Sequence, residues 1–194
     1  MTRRAFDRGR LGRSLIAWWV LIVLLSGCSS APAGSFPPSP GASLSSSVAS
    51  LAPTLGNHSY THRDFRTLSA SEIRNELQRA EDALARYCSQ DPRPLFRPPN
   101  GGYDADVLAA LGSAGYRTTV LWDIDTIDWR PIDNDPPGPT ADQIVAKVLG
   151  NAQGGSIVLM HLGGYQTHKA LTRIVAGLDD AGYELVTLDE LLGT

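Results

Sequence analysis

Cysteine is almost absent from this chain: Cys28 and Cys88 are its only two. That excludes a small fold stapled by several disulfides. The apolar run from Leu15 to Leu25 is shorter than the roughly 20 residues that a helix needs to cross a bilayer core. Internal repeats are missing, which excludes solenoids and propellers. A cationic surplus is missing too, once the N-terminus is set aside. Residues 1–27 carry five Arg and one Asp, leaving 12 Lys and Arg against 19 Asp and Glu, a net charge of −7. An acidic remainder argues against nucleic acid as a partner and against an electrostatic grip on anionic polymers.

What is present begins with Arg3, Arg4, Arg8, Arg10 and Arg13, a basic segment ahead of the apolar run. The run ends in Leu25-Ser26-Gly27-Cys28. This is the layout of a secretory signal, and its ending resembles a bacterial lipobox. It predicts a signal peptide over 1–27, with Cys28 lipidated as the mature N-terminus. The domain would then sit on the extracytoplasmic face of a bacterial cell membrane, held through Cys28, and Cys88 would be an isolated, small buried residue. A plain membrane anchor with an incidental cysteine is the alternative. Thr2-Arg3-Arg4-Ala5-Phe6 also resembles a twin-arginine signal, so both export routes stay open. Residues 28–54 are dominated by Ser, Pro, Ala and Gly and read as a flexible tether. Residues 55–194 form the patterned domain.

Ser69 and Glu72 make a capping box for a helix through Ile73, Leu77, Ala80 and Leu84. Leu95-Phe96 reads as a short strand. Tyr103 to Ala114 reads as a second helix, with Gly115 at its C-terminus. Arg117 to Trp122 reads as a strand, and Asp123 to Pro139 as a loop. Thr140 and Gln143 open a third helix through Ile144, Val145, Val148 and Leu149. Ser156 to Met160 is a buried-type strand, residues 167–181 a fourth helix, and Tyr183 to Thr187 a last strand. Strands alternating with helices at this spacing imply an α/β fold with a mostly parallel sheet, open or closed into a barrel.

Several clusters could carry chemistry. His58 and His62 are four residues apart, and in a helical turn that spacing puts both imidazoles on one side, as metal ligands require. Two surface histidines would give the same pattern. Phe96-Arg97-Pro98-Pro99-Asn100-Gly101-Gly102 sets one arginine in a rigid turn whose glycines permit close approach of a chain or ligand; a simple structural turn is the alternative. Asp123, Asp125 and Asp128 precede Trp129 in a loop, where carboxylates are ordinarily solvated. His161 ends an apolar strand, at the sheet edge where α/β sites assemble, although a lone histidine there is more often structural.

In order, H-S-Y-T-H, F-R-P-P-x-G, D-x-x-D-W and L-x-H resemble motifs two to five of the polysaccharide deacetylases, carbohydrate esterase family 4. The likeness covers residues 55 to 194, and Gly182 to Leu191 resemble the family's C-terminal end. The resemblance implies a distorted (β/α) barrel. It implies His58 and His62 as ligands of a divalent metal, commonly zinc. Arg97 would orient the catalytic carboxylate, with Asp128 holding Arg97. Pro99, Asn100, Trp129 and Leu159 would line the substrate pocket, with the backbone amide at Asn100 helping to hold the oxyanion. His161 would protonate the departing amine. The implied substrate is an N-acetylated or O-acetylated surface glycan, peptidoglycan or chitin-like.

The family's first motif, T-F-D-D-G, supplies the base and the third metal ligand about 50 residues before His58. Here that interval holds the signal segment and the tether. Asp7 is a thin imitation in a basic segment, and Asp64, Asp123 and Asp125 have no spacing that marks a replacement. The barrel is therefore expected to be incomplete at its N-terminal strands, with unpaired edges, and activity to be impaired. A non-catalytic surface lipoprotein that binds glycan through a degenerate domain is the alternative.

Overall fold

The computed structural model describes the backbone of Ser14–Val20 and residues 54–193. The remainder of the expected signal segment, with Asp7, the expected lipidation site Cys28 and residues 28–53 of the expected tether lie outside the described residues.

Six strands are described: β1 (Ser14–Val20), β2 (Leu95–Phe96), β3 (Thr118–Thr119), β4 (Ile124–Asp125), β5 (Ile157–Met160) and β6 (Tyr183–Val186). Five α-helices join them: α1 (Ala70–Leu84), α2 (Ala105–Ser113), α3 (Ala141–Asn151), α4 (Thr167–Asp180) and α5 (Leu188–Leu192). One parallel sheet has the order β4-β5-β1-β6, and β2 pairs in parallel with β3. The α/β class follows. Among the described residues, however, the strands form two sheets rather than one continuous barrel wall.

The facing ladder edges of β5 and β6 are filled, while β4 and β6 end the sheet, each with one unpaired edge among the described residues. Ser14–Val20 lies between β5 and β6, with Val20 level with Met160 and Ala17 level with both Ile157 and Val186. This stretch belongs to the apolar run expected to serve as an export signal. A run with no charged residue also suits a strand inside a parallel sheet, which helices cover on its faces.

Local chemistry explains most helix starts. Ser69 accepts the N–H of Glu72 and Glu72 accepts that of Ser69; Thr140 with Gln143 and Thr187 with Glu190 repeat the arrangement. Each pair satisfies amides that have no partner inside the helix. Asp104 caps α2, which therefore begins at Ala105 rather than at Tyr103. Helices α3 and α4 bury Ile144, Val148, Ile174 and Leu178 against Val158 and Met160 of β5. A second core joins Ile73 and Leu77 of α1 to Leu111 of α2 and Phe96 of β2. Cys88 is buried, as expected, but it is disulfide-bonded rather than a free thiol.

Candidate active site

The candidate residues gather at the carboxyl ends of the strands, the edge where α/β proteins assemble sites. Asn57 forms a parallel bridge to Phe96, and its N–H donates to the Leu95 carbonyl at 2.9 Å. That bridge sets His58 beside the end of β2. Arg97 directly follows β2, Asp128 follows β4, and His161 follows β5.

His58 and His62 do come together, with ring centroids 4.9 Å apart and planes at 78°. The expected helical turn is not the reason. Ser59 and His62 have φ of 69° and 60°, so an irregular turn with two left-handed residues brings the rings together. His58 Nδ1 lies 2.7 Å from the Arg97 carbonyl. A carbonyl only accepts, so Nδ1 carries the proton and Nε2 keeps its lone pair. Burial pushes the His58 pKa down to about 4, and the nearby His62, Arg97 and His161 push it the same way. His58 is therefore neutral near pH 7, as a metal ligand must be.

Two neutral-capable imidazoles fit part of a metal site. Catalytic zinc takes three protein donors, and among the described residues no group of three or more His, Cys, Asp or Glu side chains is placed to hold a metal ion. The candidate replacements are occupied elsewhere. Asp64 grips Arg66, Asp123 accepts the N–H of Ile157, and Asp125 accepts that of Ile127.

Asp128 pairs with His161. Its carboxylate, with 0% side-chain exposure, faces His161. Oδ1 lies 2.8 Å from His161 Nδ1, and Oδ2 accepts the His161 backbone N–H at 2.9 Å and the hydroxyl of Thr167. Burial pushes the Asp128 carboxyl up, but hydrogen bonds from the His161 ring and backbone and from Thr167 hold it below the ordinary carboxylate range. With Nδ1 donating to a carboxylate, Nε2 is the ring nitrogen left to exchange a proton with a ligand. His161 remains 36% exposed at its side chain.

Arg97 is 3% exposed and lies 5.8 Å from the ring of Trp122. Trp122 also explains a glycine. A Cβ at Gly101, where φ is +67°, would sit 3.1 Å from the Trp122 ring. At Gly102 a Cβ would come within 2.7 Å of Asp64 Oδ1. The glycines of this turn thus admit the chain's own side chains. Pro99 is buried, and Asn100 is exposed with φ 55°. Leu159 is buried and Trp129 is 47% exposed. The residues that sequence reasoning missed are Thr167, Gly164 and Glu76. Gly164 was legible only as part of a Gly-Gly pair before a helix.

A polysaccharide deacetylase family model matches residues 48–119. A peptidoglycan-N-acetylglucosamine deacetylase of Bacillus cereus is 34% identical over 141 residues, which is 71% of this chain and 62% of that protein. The structure of a family 4 pseudoenzyme from Bacillus anthracis is 34% identical, with a TM-score of 0.60, and the match covers 71% of this chain and 45% of that one. A mutant of the pseudoenzyme with restored enzymatic activity matches at 35% identity and TM-score 0.60, over 71% of this chain and 47% of that one. The chain spans about half the length of the first curated relatives it matches.

These likenesses define the class first: an α/β domain related to hydrolases of non-peptide carbon–nitrogen bonds. More narrowly, the family model, the curated relatives and the solved structures support a polysaccharide deacetylase domain of carbohydrate esterase family 4.

Proposed function

We propose that this chain acts on an N-acetylated cell-wall glycan such as peptidoglycan as a deacetylase of impaired power. One observation carries the reading. The buried Asp128 carboxylate holds His161 through both its ring and its backbone at the end of β5. Such a pair stabilises an imidazolium and leaves Nε2 to hand a proton to a departing amine. Leu159 and Trp129 would meet the acetyl group, and the Asn100 amide would face the developing oxyanion. Arg97 would orient a carboxylate base, for which the described residues offer no candidate.

His58 and His62 would hold the divalent metal, zinc in the first instance. The chemistry a metal supplies in such a site is polarisation of the acetamide carbonyl and activation of water. With two donors in place of three among the described residues, the reading expects weak metal binding and slow turnover.

Acetate release from peptidoglycan or chitooligosaccharide, with zinc or cobalt added, tests this. The expected rate is low and falls to background in His161→Ala. Robust turnover abolished by His161→Ala would overturn the impairment. Glycan binding with no acetate release would instead favour a non-catalytic glycan-binding lipoprotein. The lack of a third donor among the described residues and the likeness to a pseudoenzyme support that second reading.

The proposed location is the outer face of a bacterial membrane, through a lipid on Cys28. A lipid on that sulfur would leave Cys88 without a partner in the chain, whereas Cys88 is disulfide-bonded in the structure. Likewise, cleavage before Cys28 would remove Ser14–Val20 from the sheet. Mass spectrometry of the N-terminal peptide with a thiol count separates the alternatives. Diacylated Cys28 and one free thiol support the anchor; an intact N-terminus and no thiol overturn it.

A further inference from the structure

One buried carboxylate holds the loop that carries His58 and His62. Glu76, on α1, is 5% exposed, and its Oε2 accepts the N–H of Tyr60 at 3.1 Å and of Thr61 at 2.7 Å. These two amides lie between the two histidines. Burial pushes the Glu76 carboxyl up, and the bonds from Thr61 and Tyr60 outweigh that, holding it below its ordinary range. Glu76 is therefore charged, and charged acceptors make the stronger hydrogen bonds.

Further holds act on the same loop. The Arg79 guanidinium, one helical turn beyond Glu76, lies 4.0 Å from the centre of the Tyr60 ring. Asn57 Oδ1 accepts the Ser59 N–H, and Ser59 Oγ accepts the His62 N–H, both at 2.9 Å. The loop needs this support. Its left-handed residues, Ser59 and His62, are strained relative to ordinary backbone.

We propose that Glu76 is the positioning residue for the histidine pair, fixing the left-handed turn that brings the two imidazoles together. It rests on the reading of His58 and His62 as metal donors. Glu76 itself binds no ligand. It acts through the amides of Tyr60 and Thr61, as an outer-shell partner orients the ligands of a metal.

The test is an NMR-monitored titration of the full chain with Zn²⁺ alone, comparing wild type with Glu76→Gln. The proposal expects a loss of zinc affinity of roughly 10–100-fold and an upfield move of the Tyr60 and Thr61 amide protons. Leu178→Ala, in the other core, separates positioning from stability: it lowers the melting temperature and leaves zinc affinity unchanged. Equal losses of affinity in both variants would overturn the proposal, as would wild-type affinity and unmoved amides in Glu76→Gln. Should Glu76→Gln fail to fold, Arg79→Ala removes a second hold and is expected to weaken zinc in the same direction; unchanged zinc affinity there overturns the proposal. No zinc effect in wild type would sink the metal reading instead. Ring-to-ring contacts between His58 and His62 then decide for Glu76: their loss in Glu76→Gln supports the proposal, and their survival overturns it.

Discussion

His161 Nδ1 lies 2.8 Å from Asp128 Oδ1, and the same carboxylate accepts the His161 backbone N–H at 2.9 Å. One buried acid after β4 thus fixes both the ring and the main chain of the histidine that ends β5. Thr167, at the start of α4, completes the arrangement by donating to Asp128 Oδ2.

Thr167→Val removes that donor while keeping the shape of the side chain. The buried carboxylate loses a hydrogen bond, at an expected cost of about 1–3 kcal/mol in urea unfolding. Thr167→Ser keeps the hydroxyl and should lie within about 0.5 kcal/mol of wild type. Equal losses for Val and Ser would contradict the role given to the hydroxyl.

Gly164 leaves space for the same group. A Cβ there would meet Thr167 Oγ1 and stand 2.6 Å from Asp128 Oδ2. Gly164→Ala should therefore destabilise the fold by about 1–3 kcal/mol through overpacking. Gly150, inside α3, has nothing within 4 Å of its notional Cβ. Gly150→Ala should stabilise by about 0.5–1 kcal/mol through helix propensity. Thermal melts of the two variants should move in opposite directions.

Asp128 also sets a pH dependence. Its folded pKa is depressed, so the unfolded chain takes up the proton first as pH falls. The stability it contributes is present above the unfolded value of about 3.9 and is lost as pH falls through the lower folded value. Urea midpoints should thus drop on the acid side of pH 4, roughly the unfolded carboxylate value. Asp128→Asn should be less stable at neutral pH and should show a smaller loss in acid. An unchanged acid limb in Asp128→Asn would contradict the assignment.

Much of the frame could be read from the sequence because its signals are local. The capping boxes at Ser69 and Thr140 and the apolar spacing of Ile144, Val148, Ile174 and Leu178 depend on neighbours within a few residues. So does the placement of His161, which follows from the apolar run of β5. Strand β4 stayed hidden because Ile124-Asp125 gives two residues of pattern inside a loop rich in Pro and Asp. Helix α5 was missed because five residues are too few for helical periodicity to appear. The pairing of Asp128 with His161 was not legible because it depends on how β4 and β5 pair, which places position 128 beside position 161. The grip of Glu76 on the His58–His62 loop is equally long in sequence and short in space. In a helical pattern that glutamate is one more polar residue. The role of Ser14–Val20 was open to two readings, since an uncharged apolar run suits an export signal and a sheet strand alike.

The most direct measurement is the equilibrium affinity of the full chain for Zn²⁺ by titration calorimetry. Two histidines at hand and no third donor beside them among the described residues predict binding weaker than micromolar, lost further in His58→Ala. A nanomolar, one-to-one site that survives His58→Ala would contradict the account.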